Sequence, residues 1–129
     1  MNIARIKETC IYISNVERTR VFYHEMLGLP LISLVEGKHV FFRAGESVLL
    51  CFVAGDSLKQ NTLPPHGARG IIHFAFEVTK EDYPSIMQQI KEKQIVILHE
   101  HIWKNGLQSF YFRDPDLNML EIAQEGIWD

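Results

Sequence analysis

The chain has 129 residues, enough for one compact domain or for two small halves that share a core. Its hydrophobic fraction of 47% and charged fraction of 22% are typical of a globular protein. A formal net charge of −3 with interspersed signs argues against nucleic acid or an anionic membrane as a partner. No apolar run approaches the ~20 residues of a membrane helix, and the charged N-terminus is unlike a signal peptide. We therefore expect a cytoplasmic protein in which Cys10 and Cys51 are reduced.

The first half of the chain begins with an alternating segment, KETCIYI at 7–13, which predicts a strand. The segment 15–29, NVERTRVFYHEMLGL, predicts a helix with Asn15 as its N-cap and Gly28 at its C-terminal end. Three strand-like segments follow: LPLISLVE, HVFFRAG and SVLLCFVAG. The next stretch is rich in turn residues and poor in periodicity, which predicts a linker over residues 56–69.

The second half repeats this order. IHFAFEV at 72–78 predicts a strand, and TKEDYPSIMQQIKEK predicts a helix with Thr79 as its cap and Pro84 near its start. The strand-like segments IVILHEHIW, SFYFRDP and MLEIAQ follow. Asp114-Pro115-Asp116 predicts a tight turn, with Asn118 tolerating a left-handed backbone. The order therefore predicts two βαβββ modules, at about 4–55 and 70–126, in a single α+β domain over residues 1–129.

Side chains alternate between the two faces of a strand, so the modules also predict which residues share a face. The bulkier apolar residues are assigned to the helix side. The opposite face then carries a polar, ionisable set: Glu8, Cys10, Tyr12, His39, Phe41, Arg43, Leu50 and Phe52 from the first half, and His73, Glu77, Ser109, Tyr111, Arg113 and Glu121 from the second. Alternation thus predicts a functional site on this face.

Several local motifs then match a known family. They are Asn15-Val16-Glu17-Arg18 running into Phe22-Tyr23, Leu27-Gly28-Leu29, His73-Phe74-Ala75-Phe76, and Tyr111-Phe112-Arg113-Asp114-Pro115-Asp116 with Asn118 and Glu121. Their order resembles the vicinal oxygen chelate superfamily, which includes glyoxalase I, bleomycin-resistance proteins, fosfomycin-resistance transferases and extradiol dioxygenases. The resemblance covers nearly the whole chain. It implies paired modules that form a cupped mixed sheet, with helices outside, around a divalent metal.

The resemblance also implies a set of metal ligands. The family's ligand positions, on the first and last strands of each module, fall on Glu8, Leu50, His73 and Glu121 of this chain. Leucine cannot bind a metal, so the implied ligands are Glu8, His73 and Glu121, a three-ligand pattern that resembles the fosfomycin-resistance branch. Glu8 stands where many members have histidine. This donor set suits Mn²⁺, Fe²⁺, Ni²⁺ or Zn²⁺, and an open fourth position is typical of a catalytic site.

Each ligand also has an ordinary interpretation. Considered by itself, Glu121 can be a solvent-exposed acid or an acid on an edge strand. His73 by itself can be a histidine that is hydrogen-bonded within the fold and binds no metal. Because these residues lie at equivalent ends of the repeat and on one face, each supports a ligand role for the other. Burying both Glu8 and Glu121 without a cation would also be costly. Glu8 or Glu121 would then double as a catalytic base.

Other residues of the predicted face suit substrate binding. Arg43 has no acidic neighbour in the sequence and would bind an anionic group, because arginine matches carboxylate or phosphate with two hydrogen bonds. Aromatic side chains would exclude water, and two tyrosines would orient a substrate oxygen. The substrate-binding candidates are therefore Arg43, Tyr111, Phe41, Phe52, Trp103 and Tyr12.

Three functions stay open on the sequence. The first is a metal-dependent lyase, transferase or dioxygenase that acts on a small, oxygen-chelating, anionic substrate. The second is a metal-free binding protein, similar to bleomycin-resistance members, which sequesters an apolar or cationic compound. The third is a non-catalytic descendant with a degenerate site, which the loss of a ligand at Leu50 favours. On the resemblance we also expect a homodimer, with modules paired within one chain or swapped between subunits.

Overall fold

The computed structural model describes residues 1–59 and 63–129. The chain divides into two compact units, Met1–Gly70 and Ile71–Asp129. Each unit contains one four-stranded mixed sheet, and strands supply most of the regular structure. The predicted α+β class is confirmed. Over the described ranges, no helix has the length and apolar character that crossing a bilayer requires.

The first unit follows the predicted strand–helix–strand–strand–strand order. Its sheet has the order β1-β4-β3-β2, with β1 parallel to β4 and the other pairs antiparallel. Its elements are β1 Glu8–Ile13, α1 Val16–Arg20, a π-helical segment Val21–Met26, β2 Leu31–Val35, β3 His39–Ala44, β4 Ser47–Val53 and α2 Ala54–Ser57.

The first helix departs from a regular α-helix in its second half. Asn15 caps it as predicted, because its Oδ1 accepts a hydrogen bond from the Arg18 N–H at 2.7 Å. From Val21 the turns widen, and the Leu27 N–H donates to the Phe22 carbonyl five residues earlier. Two successive aromatic residues of this widened segment, Phe22 and Tyr23, are both buried.

The core of the first unit lies between this helix and the sheet. Tyr23 contacts Phe42 with ring centroids 5.5 Å apart. The remaining fully covered residues of this face alternate along the strands as predicted: Ile11, Val40, Leu49 and Cys51. Helix α2 is a correction, since Ala54–Ser57 continues from β4 into the start of the predicted linker. Residues 60–62 of that linker lie outside the described residues.

The second unit repeats the arrangement. Its sheet has the order β5-β8-β7-β6, with β5 parallel to β8. Its core packs helix against sheet through Tyr83 and Phe110, whose ring centroids are 5.5 Å apart. Its elements are β5 His73–Val78, α3 Tyr83–Glu92, β6 His99–Ile102, β7 Gln108–Arg113 and β8 Met119–Gln124.

Two local predictions for this unit are corrected. Helix α3 begins at Tyr83, so the Thr79 hydroxyl, which accepts from the Asp82 N–H at 3.1 Å, caps the preceding turn rather than the helix. Pro84 lies in the first turn as predicted. The strand predicted at 95–103 is shorter, because only His99–Ile102 pairs along β7.

The turn between β7 and β8 determines where β8, the strand that contains Glu121, begins. Asp114 Oδ1 accepts from the Asp116 and Asn118 N–H groups at 2.9 and 2.8 Å. The left-handed residue is Leu117, with φ of 68°, and not Asn118 as expected. Asn118 instead uses its Oδ1 to accept from the Ile72 N–H at 3.2 Å, which joins the start of β5 to the start of β8.

In each unit we call the sheet face opposite the helix the open face. Its residues follow from the strand pairings. In the first unit the cross-strand rows contain Cys10, Leu50 and Phe41, then Tyr12, Phe52 and His39. In the second unit they contain Ala75, Glu121, Tyr111 and His99, then Glu77, Ala123, Ser109 and His101. The predicted division into faces is therefore present in both sheets.

Candidate functional site

A contact between two ionisable side chains on the open face of the second unit joins His73 and Glu121. His73 Nε2 lies 3.3 Å from Glu121 Oε2, across the parallel pair β5 and β8. His73 Nδ1 lies 2.8 Å from the Met119 carbonyl oxygen. We assign the hydrogen to Nδ1, because only a donor suits a carbonyl. In the neutral ring, Nε2 then directs a lone pair toward a carboxylate oxygen, an arrangement that a shared cation would stabilise.

Glu121 is buried although it is an acid. Its exposed fraction is 5%, and its neighbours Leu120 and Ile122 pack into the helix-side core. Among the described residues, Glu121 Oε1 is buried without a hydrogen-bond partner. A buried carboxylate oxygen in this state is costly unless a cation, a proton or a ligand satisfies it. The donor set therefore fits a divalent metal: one imidazole nitrogen held in a fixed orientation, and one carboxylate with unused oxygen capacity.

Tyr111 lies beside this pair. It is directly opposite Glu121 in the β7–β8 register, and its ring stacks on His73 with centroids 6.0 Å apart. Burial raises the pKa of the Tyr111 phenol; a hydrogen bond with Ser109 opposes this effect, and the Glu121 carboxylate adds to it through a hydrogen bond and through its charge. The phenol therefore keeps its proton at neutral pH and can donate a hydrogen bond.

The open face of the second unit continues as a row of rings toward β6. His99 contacts Tyr111 at 5.7 Å between centroids, and His101 meets Trp103 edge to face at 4.6 Å. The Trp103 indole N–H donates to Ser109 Oγ at 3.0 Å. This bond holds Trp103 on the face to which the sequence assigned it.

The open face of the first unit is aromatic. Phe41 and Phe52 are 5.2 Å apart between ring centroids, and Tyr12 Oη lies 2.9 Å from Nδ1 of His66. His66 also meets Phe52 edge to face at 4.5 Å, and His39 stacks on Phe41 at 4.0 Å. Burial lowers the pKa of His39. The unit therefore brings the predicted Tyr12, Phe41 and Phe52 into one cluster.

Glu8 and Arg43 lie at one end of the first unit's open face and are exposed. Glu8 is the first residue of β1 and pairs with Val48, as does Arg43 from the other side. Within the described part of the first unit, the Arg43 guanidinium has no ion pair, so it is available to an anion. Cys10 is not an activated thiol, because burial and then the Glu8 charge raise its pKa.

The predicted site residues are thus divided between the units. His73, Glu121, Tyr111 and Trp103 share the open face of the second unit, and Glu8, Arg43, Tyr12, Phe41 and Phe52 share that of the first. Across residues 1–59 and 63–129, no group of three or more His, Cys, Asp or Glu side chains is assembled to hold a metal. His73 and Glu121 are the two predicted ligands that the structure brings together.

Sequence reasoning missed two contributors. The Met119 carbonyl orients His73 because the parallel β5–β8 register places Met119 opposite His73, and residue type alone carries no signal for this bond. His66, which lies in the predicted linker, contacts the aromatic cluster through Tyr12 and Phe52. No sequence pattern indicated this contact, because His66 lies in an irregular segment.

Comparison with known proteins identifies the family. The glyoxalase-like domain model matches residues 6–125. The glutathione transferase FosA of Serratia marcescens is 30% identical over 115 residues, covering 85% of this chain and 73% of the relative. The metallothiol transferase FosB of Staphylococcus epidermidis is 24% identical over 123 residues, covering 95% and 82%. The crystal structure of lactoylglutathione lyase from Agrobacterium tumefaciens is 31% identical, with a TM-score of 0.94 and coverage of 99% and 98%. The chain therefore belongs to the glyoxalase-like domain family, within the vicinal oxygen chelate superfamily.

Proposed function

We propose that this protein is a divalent-metal-dependent enzyme that acts on a small, oxygen-chelating, anionic substrate in the cytoplasm. The observation that carries the proposal is the pair His73 and Glu121, with Nε2 and Oε2 3.3 Å apart and with Oε1 buried and unpartnered among the described residues. A metal bound there supplies Lewis-acid stabilisation of negative charge on substrate oxygens.

Two ligands leave the metal site incomplete, and Glu8 is the proposed third. It would come from the same chain or from a second copy, since the protein is proposed to be a homodimer. His73 arrives with its ring already oriented by the Met119 carbonyl, so little ordering is needed when the metal binds. Mn²⁺, Fe²⁺, Ni²⁺ and Zn²⁺ all suit this mixed set of nitrogen and oxygen donors.

The same residues suggest how a proton would be handled. Glu121 Oε1 is the proposed acceptor of a substrate proton, because it is buried and has no partner among the described residues. Tyr111 would donate a hydrogen bond to a substrate oxygen, since its raised pKa keeps the phenol protonated. Glu8 is the alternative base.

The substrate class follows from charge and from the relatives. The names of the three relatives described above refer to glutathione or to a thiol, which supports thiol adducts as the first compounds to screen. Glutathione adducts are anionic, and the exposed guanidinium of Arg43 would bind a carboxylate with two hydrogen bonds. Trp103, Phe41 and Phe52 would shield the reacting atoms from water.

Metal content is the deciding measurement. Protein without an affinity tag is analysed by mass spectrometry as wild type, His73→Ala and Glu121→Gln, with Glu77→Gln as the matched control, because Glu77 is an exposed acid on the same open face. We expect near-stoichiometric metal in the wild type and the control, and at least about a hundredfold weaker binding in the other two. A wild type that stays metal-free after incubation with Mn²⁺, Fe²⁺, Ni²⁺ and Zn²⁺ would exclude the proposed enzyme.

One observation favours a second function. The aromatic cluster of Tyr12, Phe41 and Phe52 has Leu50 beside it, at a family ligand position where leucine cannot bind a metal. Such a face suits the sequestration of an apolar or cationic compound without a metal, with Glu8 and Glu121 as counter-ions. Thermal-shift screening of cationic aromatic compounds in the presence of a chelator tests this alternative. Binding that persists in chelator and is lost in Phe52→Ala would support it.

A further inference from the structure

Two histidines outside the proposed metal pair differ from the others. The chain has six histidines. Ring nitrogens of four are hydrogen-bonded: His24 to the Leu29 carbonyl, His39 to Ser33, His66 to Tyr12 and His73 to the Met119 carbonyl. Within the described residues of the second unit, the ring nitrogens of His99 and His101 have no such partner. Both rings therefore keep a nitrogen available for a ligand.

The backbone places these two rings side by side. His99 and His101 are two residues apart on β6, so both point to the open face, and β6 is an edge strand of its sheet. Their ring centroids are 5.7 Å apart and their planes are inclined by 36°. A Zn–N bond of about 2.0–2.1 Å, with tetrahedral angles, places two ring centroids on one ion about 5 Å apart. Small rotations of the side chains would therefore bring both rings onto one ion.

We infer that His99 and His101 form a second metal site, separate from the proposed His73–Glu121 pair, that takes a late first-row divalent cation such as Cu²⁺ or Zn²⁺. Imidazole pairs select these metals rather than Mg²⁺ or Ca²⁺, which prefer oxygen ligands. Water completes the coordination, because His99 is exposed to solvent. Cu²⁺ binds most tightly in the general order of divalent affinities.

The ring of Tyr111 lies between this site and the proposed catalytic pair. It stacks on His73 at 6.0 Å and contacts His99 at 5.7 Å between centroids. His73 directs Nε2 toward Glu121, so the proposed pair uses none of the donors of His99 and His101. The two sites therefore draw on different residues and can be removed independently.

The structure also supplies a reporter. Trp103 meets His101 edge to face at 4.6 Å, and Trp128 is 6.1 Å from Trp103. These are the only two tryptophans of the chain. Cu²⁺ bound at His101 would quench their fluorescence through its unpaired electron, whereas Zn²⁺ would compete for the site without quenching.

The test is a Cu²⁺ titration of the metal-depleted full chain, followed by tryptophan fluorescence. The variants are His99→Gln, His101→Gln and His73→Ala, with Glu100→Gln as the matched control, because Glu100 lies between the two histidines on the other face. We expect saturable quenching that a large excess of Zn²⁺ reverses, since Zn²⁺ binds more weakly than Cu²⁺. Affinity should fall at least about tenfold in His99→Gln and His101→Gln and stay unchanged in Glu100→Gln and His73→Ala. Far-UV circular dichroism verifies that each variant is folded.

The outcomes separate this site from the proposed enzyme. Quenching that is absent in the wild type, or unchanged in both His99→Gln and His101→Gln, overturns the second site. Quenching that disappears in His73→Ala also overturns it, because the metal would then belong to the His73–Glu121 pair. Normal quenching in a protein that purifies without metal and holds none at His73 leaves the second site in place and counts against the proposed enzyme alone.

Discussion

The open face of the first unit and that of the second unit stand on the same strand order and differ in chemistry. Where the first has Leu50, the second has the buried Glu121, and where the first has Glu8 at the start of its leading strand, the second has His73. The first face is a cluster of rings around Phe52, and the second contains an imidazole–carboxylate pair. The repeated backbone therefore supplies equivalent positions, and the side chains at those positions decide what each unit can bind.

A cavity in the core of either unit should lower the free energy of unfolding by a similar amount. This loss of stability is the largest effect that we expect. Phe42 and Phe112 are fully buried at equivalent positions of β3 and β7. Replacing either by alanine should lower the free energy of unfolding by about 3–5 kcal/mol. Urea denaturation monitored by circular dichroism measures both, and Phe52→Ala on the open face should cost clearly less. Strongly unequal losses for Phe42 and Phe112 would contradict the equivalence of the two cores.

The second unit should lose stability at alkaline pH. Burial, then the charges of Glu100 and Glu121, raise the pKa of Tyr83 from its usual 10.0 to about 12. The folded state thus holds this proton more tightly than the unfolded state, so the stabilisation is complete below pH 10 and is lost as the pH rises toward 12. The loss should reach about 2–3 kcal/mol at pH 12. Urea midpoints at pH 8 and above pH 11 test this, and Tyr83→Phe should lack that share of the decline.

Glu121, the acid that distinguishes the second open face from the first, should lower the free energy of unfolding when no metal is bound. In Glu121→Gln, no buried charge is left, and the amide can donate to His73 Nε2. We expect the free energy of unfolding in excess chelator to rise by about 1–2 kcal/mol, while metal binding is lost. Urea denaturation at pH 8 measures the change, with Glu77→Gln as the surface control. A decrease would mean that Glu121 stabilises the fold without a metal.

The side-chain hydrogen bonds at the starts of the two helices should contribute unequally to the free energy of unfolding, and this difference is smaller than the preceding effects. Asn15 bonds the first helix directly, whereas Thr79 bonds only the turn before the second. Asn15→Ala should cost about 1 kcal/mol, and Thr79→Ala should cost less than about 0.5 kcal/mol. Thermal denaturation of the two variants gives the comparison. Equal losses would show that the two helix starts are stabilised alike.

Most of the fold was predictable from alternation, because burying one face of a strand imposes a period of two on its sequence. The structure differs from the prediction at places where hydrogen bonds determine the local backbone conformation. The first helix continues as a π-helical segment from Val21, in which Phe22 and Tyr23 are both buried, and a regular helical period does not describe this change of hydrogen bonding. Leu117 takes the left-handed turn position because Asp114 binds the Asn118 N–H group, and turn propensities alone favour Asn118.

The site was predictable where it follows the repeat. The family resemblance implied His73 and Glu121 as ligands, alternation assigned both to one face, and the structure places their side chains in contact. The roles of Met119 and His66 were not predictable from residue type. Met119 acts through its carbonyl, and His66 reaches Tyr12 from an irregular segment 54 residues away in sequence. The role of Glu8 as a ligand stays a prediction.

The bond between His73 and the Met119 carbonyl has a consequence for how this site can evolve. Every amino acid has a backbone carbonyl, so the imidazole keeps its orientation whatever side chain occupies position 119. Substitutions there can reshape the face around the proposed metal pair without releasing the histidine. A lineage with this arrangement can therefore change the surroundings of the proposed site one residue at a time while His73 stays oriented by the β5–β8 pairing.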